Sequence, residues 1–171
     1  MRKLSMDELG RLSVADFKEA TKKPIVVVMD QIRSMHNVGS VFRTADAFLI
    51  SGICLCGITP QPPHRDINKT ALGATESVDW MYYENTVDAI TALKEQGYKV
   101  YAIEQVEGSI PLNVMDKNIG PIAFVFGNEV DGVEEAVIAQ CDGVIEIPQW
   151  GMKHSLNISV AAAVVLWEFV R

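Results

Sequence analysis

The chain has 171 residues, 49% of them hydrophobic and 22% charged, and its formal net charge is −7. These values are typical of one globular domain and exclude a disordered or fibrous chain. Because an acidic surface repels phosphates, the negative net charge also excludes binding of nucleic acids by overall electrostatic attraction. A nucleic-acid partner would require a local basic patch.

Neither a leader nor a membrane segment is predicted. Acidic residues at positions 7 and 8 occupy the place where a signal peptide needs its apolar core. The apolar runs are far shorter than the roughly 20 residues that span a bilayer. We therefore expect a soluble cytoplasmic protein. The three cysteines and three histidines are scattered without C-x-x-C or H-x-x-x-H spacing, so we expect no disulfides and no bound metal.

In chain order, residues 1–23 predict one or two short helices, because Ser5 with Glu8 and Ser13 with Asp16 have capping-box spacing. Six apolar runs after Pro24 then predict strands. They cover residues 25–29, 52–58, 78–83, 99–103, 122–126 and 143–147. Helical patterns lie between them at residues 38–48, from 87 to a stop at Gly97, and at 133–141, and residues 59–64 predict a rigid proline-rich loop.

Strands that alternate with helices indicate an α/β fold, here a mainly parallel six-stranded sheet covered by helices on both faces. Residues 1–171 are expected to form a single domain. The last helical segment, 160–170, is apolar on all sides and has Glu168 as its one charged residue. It must therefore be buried at the domain centre or at a subunit interface, and we expect a homodimer with this helix at or near the interface.

Polar side chains mark the turn that follows the first predicted strand. Asn37 stands at a helix start and Arg43 about two turns later. Taken alone, Asn37 is a helix cap and Arg43 a solvated cation. The functional interpretation is that Asn37 orients a substrate group, that Arg43 offers its planar five-donor fork to a phosphate, and that Gly39 allows close approach.

Two later turns have the same character. After the fifth predicted strand, Gly127, Asn128, Glu129, Asp131 and Gly132 form an acidic turn that lacks both the P-loop and the G-x-G-x-x-G pattern. After the sixth, a helix start carries a second polar group, Lys153, His154, Ser155 and Asn157. Each group could serve as turn and cap residues only. Because carboxyl ends of parallel strands share an edge, we expect all three turns to meet there.

The three turns together resemble the ordered motifs of the SpoU (TrmH-type) RNA ribose 2′-O-methyltransferases of the SPOUT superfamily. The matching segments are Asn37-Val38-Gly39 with Arg43, residues 126–132, and residues 147–159, and residues 69–74 are similar to the family's central segment. The resemblance spans about residues 25–170. No separate RNA-binding domain is expected at either end.

This resemblance implies a C-terminal trefoil knot and methyl transfer from S-adenosylmethionine to a ribose 2′-hydroxyl of tRNA or rRNA. The cofactor-binding positions that it implies are Gly127, Ile147 and Leu156, with Ile103 adjoining. The catalytic positions that it implies are Asn37, Arg43, Glu129, Ser155 and Asn157, shared across a homodimer. Arg43 is expected to grip the target phosphate rather than to act as a base, since a guanidinium stays charged.

The sequence alone leaves open two other functional hypotheses and the location of the RNA-binding surface. A non-catalytic module of the same fold could bind S-adenosylmethionine or RNA, and a flavodoxin-like nucleotide-binding protein would need a phosphate loop after the first strand. The RNA could meet the N-terminal helices, the loop 60–68, or a patch spanning a dimer. The basic residues that could contribute are His64, Arg65, Lys69, Arg33 and Lys153. Whether the RNA is tRNA or rRNA also stays open.

Overall fold

The computed structural model describes residues 1–5, 7–153 and 155–171. Its sheet has seven strands, and all of their ladders are parallel. The strands are β1 (Lys23–Asp30), β2 (Ile50–Cys56), β3 (Trp80–Tyr83), β4 (Lys99–Ile103), β5 (Ile110–Pro111), β6 (Ile122–Phe126) and β7 (Gly143–Glu146). They lie in the order β3-β2-β1-β6-β4-β7-β5. The predicted parallel α/β sheet is confirmed, but its strand number was wrong. The two-residue β5 contains a proline and no apolar run.

Helices cover both faces of this sheet. They are α1 (Val14–Glu19), α2 (Met35–Ala47), α3 (Arg65–Ala71), α4 (Ala74–Ser77), α5 (Thr86–Glu95), α6 (Glu135–Ile138) and α7 (Ile158–Val170), with 3₁₀ turns at Asp7–Leu9 and Leu112–Val114. Alternate residues of β1 divide the core. Val27 and Met29 join the core on the α2 and α7 side, whereas Val28 joins the core that contains α5. Such alternation is expected of a strand buried on both faces.

The helices agree with the sequence predictions at some of their starts and differ at others. The predicted capping box of Ser13 and Asp16 is present at α1. Helix α6 is shorter than the predicted 133–141, since the N–H groups of Gln140 and Cys141 bond to carbonyls three residues back, in turns. At its other end, the Val133 N–H donates to Glu104 Oε2 at 3.2 Å. Helices α3 and α4 were not predicted. The cap of α3 is unusual, since His64 Nδ1 accepts from the Asp66 N–H at 3.1 Å.

Helix α7 is buried on one side only within the single chain. Ile158, Ala162, Val165 and Leu166 are buried, whereas Val160, Val164 and Trp167 are exposed to 49%, 39% and 56%. Burial of α7 on all sides at the domain centre is therefore wrong, and its place at a subunit interface stays a prediction. In the part of the chain that the structure describes, no helix has the length and apolarity that a membrane crossing requires.

Candidate active site

A cavity of about 520 Å³ opens at the carboxyl edge of the sheet, where β4, β6 and β7 end. Its volume lies within the range of roughly 300–1,000 Å³ that small-molecule sites occupy. The four positions expected to bind the cofactor all line it, and they come from four separate segments: Ile103, Gly127, Ile147 and Leu156. The structure thus brings the second and third sequence motifs together around one space.

The loop that follows β6 requires glycine for steric reasons. Asn128 and Gly132 form a two-way backbone bridge, with N···O distances of 2.9 and 3.0 Å. A Cβ on Gly127 would lie 2.1 Å from the carbonyl carbon of Gly132, and Gly132 itself has a φ of +71°. Any larger residue at Gly127 would force the loop open. The Asn128 amide ties the loop to the turn after β1 by donating to the Gln31 carbonyl at 2.7 Å.

Glu104, just after β4, is a site residue that the sequence interpretation missed. Its Oε2 accepts from the Val133 N–H at 3.2 Å, and its Oε1 accepts from the Gln105 N–H at 2.8 Å. Glu104 also lines the cavity. It therefore braces the loop from the opposite side to Asn128. Its place at the carboxyl end of a predicted parallel strand was the available signal.

Three predicted catalytic residues form one continuous chain of hydrogen bonds. Asn37 Nδ2 donates to Glu129 Oε1 at 2.9 Å, and Asn37 Oδ1 accepts from Asn157 Nδ2 at 3.1 Å. Asn157 Oδ1 in turn accepts from the Ser159 N–H at 2.9 Å, which caps α7. The first, second and third sequence motifs therefore meet through side chains. Of the cap roles considered, that of Asn157 at α7 is present, whereas that of Asn37 is wrong, because Ser34 caps α2 and its Oγ accepts from the Asn37 N–H at 3.2 Å.

Glu129 is held as a carboxylate. Partial burial disfavours its charged form, but donation from the Arg33 N–H at 3.0 Å, the Asn37 amide and the Ser34 N–H at 3.1 Å outweighs burial and lowers the pKa of Glu129. Both backbone donors belong to the turn before α2. The ionised Glu129 thus fixes this turn and orients the Asn37 amide.

Arg43 and Ser155 occupy different surroundings. Ser155 lines the cavity and is exposed, with no hydrogen bond to any residue that the structure describes. Arg43 lies on the exposed side of α2, outside the lining of the cavity, and within the described chain it has no carboxylate partner. His154 lies outside the described residues. Gly39 permits close approach of α3 rather than of a ligand, since a Cβ there would lie 2.2 Å from the Ile67 carbonyl oxygen.

The arrangement fits a ligand with an apolar part and a positive charge. Ile103, Phe126 and Ile147 offer apolar surface, whereas Glu104, Glu129 and Asp131 offer carboxylates, and the described lining contains no basic residue. Among the residues that the structure describes, no group of three or more His, Cys, Asp or Glu side chains could hold a metal ion.

Comparison with known proteins identifies the family. Residues 24–167 match the SpoU rRNA Methylase family. The chain belongs to this family. It is 32% identical to a tRNA (guanosine(18)-2′-O)-methyltransferase of Thermus thermophilus, over 96% of this chain and 83% of that protein. It is 30% identical to the 23S rRNA (guanosine-2′-O-)-methyltransferase RlmB of Vibrio parahaemolyticus, over 96% of this chain and 66% of that protein.

Solved structures of the family share the fold. The crystal structure of an AdoMet-bound rRNA methyltransferase from Sinorhizobium meliloti has a TM-score of 0.81 and 28% identity, over 90% of this chain and 59% of that chain. The present chain spans about two thirds of the length of several curated relatives that it matches. The SpoU resemblance read from the three motifs is confirmed.

Proposed function

We propose that this SpoU family chain transfers a methyl group from S-adenosylmethionine to a ribose 2′-hydroxyl of tRNA or rRNA. The observation that most directly supports this proposal is that the Glu129–Asn37–Asn157 hydrogen-bond chain lies at the rim of the 520 Å³ cavity. Relatives named as guanosine 2′-O-methyltransferases of tRNA and of 23S rRNA support the reaction class. The cytoplasm stays the predicted location.

The cavity fits the proposed cofactor by shape and charge. Backbone groups at Gly127, Ile147 and Leu156, with Ile103 beside them, would hold the adenosine in an apolar slot. The carboxylates of Glu104 and Glu129 would favour a ligand that carries a sulfonium and an ammonium group. A related structure that is bound to AdoMet supports this choice.

S-adenosylmethionine supplies an electrophilic methyl group when it is bound. In the proposal, Asn37, Asn157 and Ser155 hold the ribose in line with that methyl group, because positioning lowers the barrier of a displacement. Glu129 keeps Asn37 oriented through the 2.9 Å bond. Arg43 contacts the phosphate beside the target and stabilises charge on the attacking oxygen, which suits a guanidinium that stays protonated.

The proposal includes a homodimer and a knotted C-terminus. The exposed Val160, Val164 and Trp167 on α7 form an apolar stripe that a second copy would bury. Arg43 lies outside its own chain's cavity, as expected if it completes the partner's site. Residues 155–158 return to line the cavity beside the loop after β6, an arrangement expected of a trefoil knot.

Methyl transfer from radiolabelled S-adenosylmethionine to total RNA of a strain that lacks the gene tests the function. We expect label at one ribose, mapped by resistance of the adjacent bond to alkaline cleavage. Arg43→Ala should reduce transfer at least a hundredfold while leaving the affinity for S-adenosylmethionine within about twofold. Lys99→Ala, a cation at the opposite edge of the sheet, serves as the control. Cofactor binding with no transfer to any RNA would favour the non-catalytic module instead.

A further inference from the structure

The acidic chain keeps part of its positive charge unpaired, and the location of these cations identifies a surface. After residue 23, five cations pair with carboxylates: Lys69, Lys94, Lys99, Lys117 and Arg171. Four others have no carboxylate partner within the described chain: Arg33, Arg43, Arg65 and Lys153. Arg33 and Lys153 lie in turns that carry the candidate site, whereas Arg43 lies in α2 and Arg65 begins α3, which packs on α2.

Helical geometry places Arg43 between α3 and the candidate site. Successive residues of an α-helix are separated by about 100° around its axis. Gly39 faces α3, and Asn37 faces Glu129 and Asn157. His36 and Arg43 project between these two directions, and both are exposed. An RNA strand that runs along α2 to the site that Arg43 completes would therefore pass over this part of the helix.

Helix α3 continues the same surface. Arg65 and Lys69 lie about one turn apart and are both exposed. The Thr70 hydroxyl donates to the His36 carbonyl at 3.0 Å, which fixes α3 beside the start of α2. The Lys69 ammonium lowers the pKa of Asp66, and the nearby imidazoles of His36 and His64 add to this lowering. The two helices thus place several cationic or protonatable groups around one acid.

On the proposed function, we infer that His36, Arg43, Arg65 and Lys69 form the surface that binds RNA phosphates beside the target ribose; we call it the α2–α3 surface. Its arginines can bind phosphate without first breaking an ion pair, and a guanidinium matches phosphate in a bidentate manner. Elsewhere on the described chain, Asp142 and Glu168 each neutralise two cations. The overall negative charge would therefore exclude RNA from other faces and direct it to this one.

The test compares two double variants with the same charge change. Arg65→Ala/Lys69→Ala removes two cations of the α2–α3 surface, whereas Lys94→Ala/Lys99→Ala removes the pair that shares Asp142. Fluorescence anisotropy with unfractionated tRNA and with fragmented rRNA would give affinities at several salt concentrations. We expect the first variant to bind about tenfold more weakly at low salt and its salt slope to become shallower by roughly 0.7–0.9 per lost contact. The control should match the parent.

Further readouts separate this inference from the proposed function. Both double variants should bind S-adenosylmethionine like the parent, because all four side chains lie outside the cavity lining. Both should also melt close to the parent, because the ion pairs that they remove are solvent-exposed and contribute little stability. In methyl transfer, the first variant should show a raised KM for RNA and a kcat near the parent's. Equal RNA affinities and salt slopes for the two double variants, in a parent that transfers methyl groups, would overturn the surface and keep the function. A parent that binds neither RNA would overturn the inference outright.

Discussion

Asn37 is the residue through which three distant segments become one site. Its amide donates to Glu129 and accepts from Asn157, which lie 92 and 120 positions away in the sequence. The residue is 9% exposed, so an unmatched group there cannot turn to solvent freely. The side chain therefore serves stability and substrate positioning together.

Replacing Asn37 with Asp should damage both properties. The new carboxylate would face Glu129 at the distance of the present 2.9 Å hydrogen bond, and it could not donate. We expect the free energy of unfolding to fall by about 1–3 kcal/mol, from the lost donor and the like charges. Urea unfolding checks this value. Asn113→Asp, an exposed position, is the control, and equal losses in the two variants would contradict the role assigned to Asn37.

Asp30, at the end of β1, is a buried acid whose titration should make the stability of the protein depend on pH. It is fully buried, and burial raises its pKa, although donation from the Thr86 hydroxyl to Oδ1 at 2.5 Å partly offsets this. An acid whose folded pKa is raised loses stability as the pH rises from its unfolded value of about 3.9 through the folded value. The carboxylate form is therefore a cost at neutral pH.

Asp30→Asn should consequently be more stable than the parent at pH 7. The difference should shrink as the pH falls toward 4, because the parent carboxyl then becomes neutral too. Thermal melts between pH 4 and pH 8 would follow the gap between the two proteins. The exposed Asp79→Asn variant should show no such trend. A gap that is constant with pH would mean that Asp30 does not titrate in this range.

At the scale of elements, α2 and α3 pack more closely than ordinary helices through Gly39. A Cβ on Gly39 would lie 2.2 Å from both the Ile67 carbonyl oxygen and the Thr70 hydroxyl, and 3.0 Å from the Ala71 nitrogen. Two of these atoms belong to the backbone, so a side-chain rotation cannot relieve the overlap. The helices would have to separate, which would also displace the start of α2 from the candidate site.

Gly39→Ala should therefore destabilise the protein although alanine is the better helix former. The propensity gain of roughly 1 kcal/mol is smaller than the cost of forcing two packed helices apart, which is about 1–3 kcal/mol and higher where backbone must move. We expect a net loss of stability and a reduced rate of methyl transfer. Ser40→Ala, the next position in α2, should leave stability equal or slightly higher. A Gly39→Ala variant as stable as the parent would show that α3 can shift freely.

Sequence patterns predicted these elements unequally, for physical reasons. Strand β6 and residues 25–29 of β1 are buried on both faces, so each is an uninterrupted apolar run that is visible in the sequence. Residues 100–103 of β4 are buried on one face and half-buried on the other, and they are apolar throughout as well. Helix α3 buries only Ile67 and Ala71 and begins at an atypical histidine cap, so it leaves little pattern. Helix α6 ends early because the N–H groups of Gln140 and Cys141 bond three residues back and form turns, a change that the apolar pattern does not reveal.

The sequence predicted those residues of the candidate site whose positions follow from the ends of the strands. Residues placed by strand ends, such as Gly127 and Ile147, line the cavity as expected, because the carboxyl edge of a parallel sheet gathers them. Glu104 was missed because its role depends on the loop it braces. Arg43 was expected beside the other catalytic positions. It lies outside the cavity lining because it projects from a different side of α2 than Asn37 does.

At the scale of the whole molecule, the proposed dimer would account for both the exposed face of α7 and the position of Arg43. Val160, Val164 and Trp167 follow one another at helical spacing and leave apolar surface in water, a cost that a second copy would remove. Trp167→Glu should then give a monomer by sedimentation, because a charge would be placed in the apolar contact. Such a monomer should keep its fold and lose methyl transfer.

Mixing two inactive variants would test whether each site draws on both protomers. Arg43→Ala removes the cation outside the cavity, and Asn157→Ala breaks the hydrogen-bond chain at the rim of the cavity. If Arg43 acts on the partner's cavity, a heterodimer of the two contains one intact site and one doubly damaged site. Random exchange after mild unfolding should restore about a quarter of the parent's activity per protomer, since half of the dimers are mixed and half of their sites are intact. If Arg43 acts within its own chain, both sites of the heterodimer remain damaged and the mixture stays as inactive as its components.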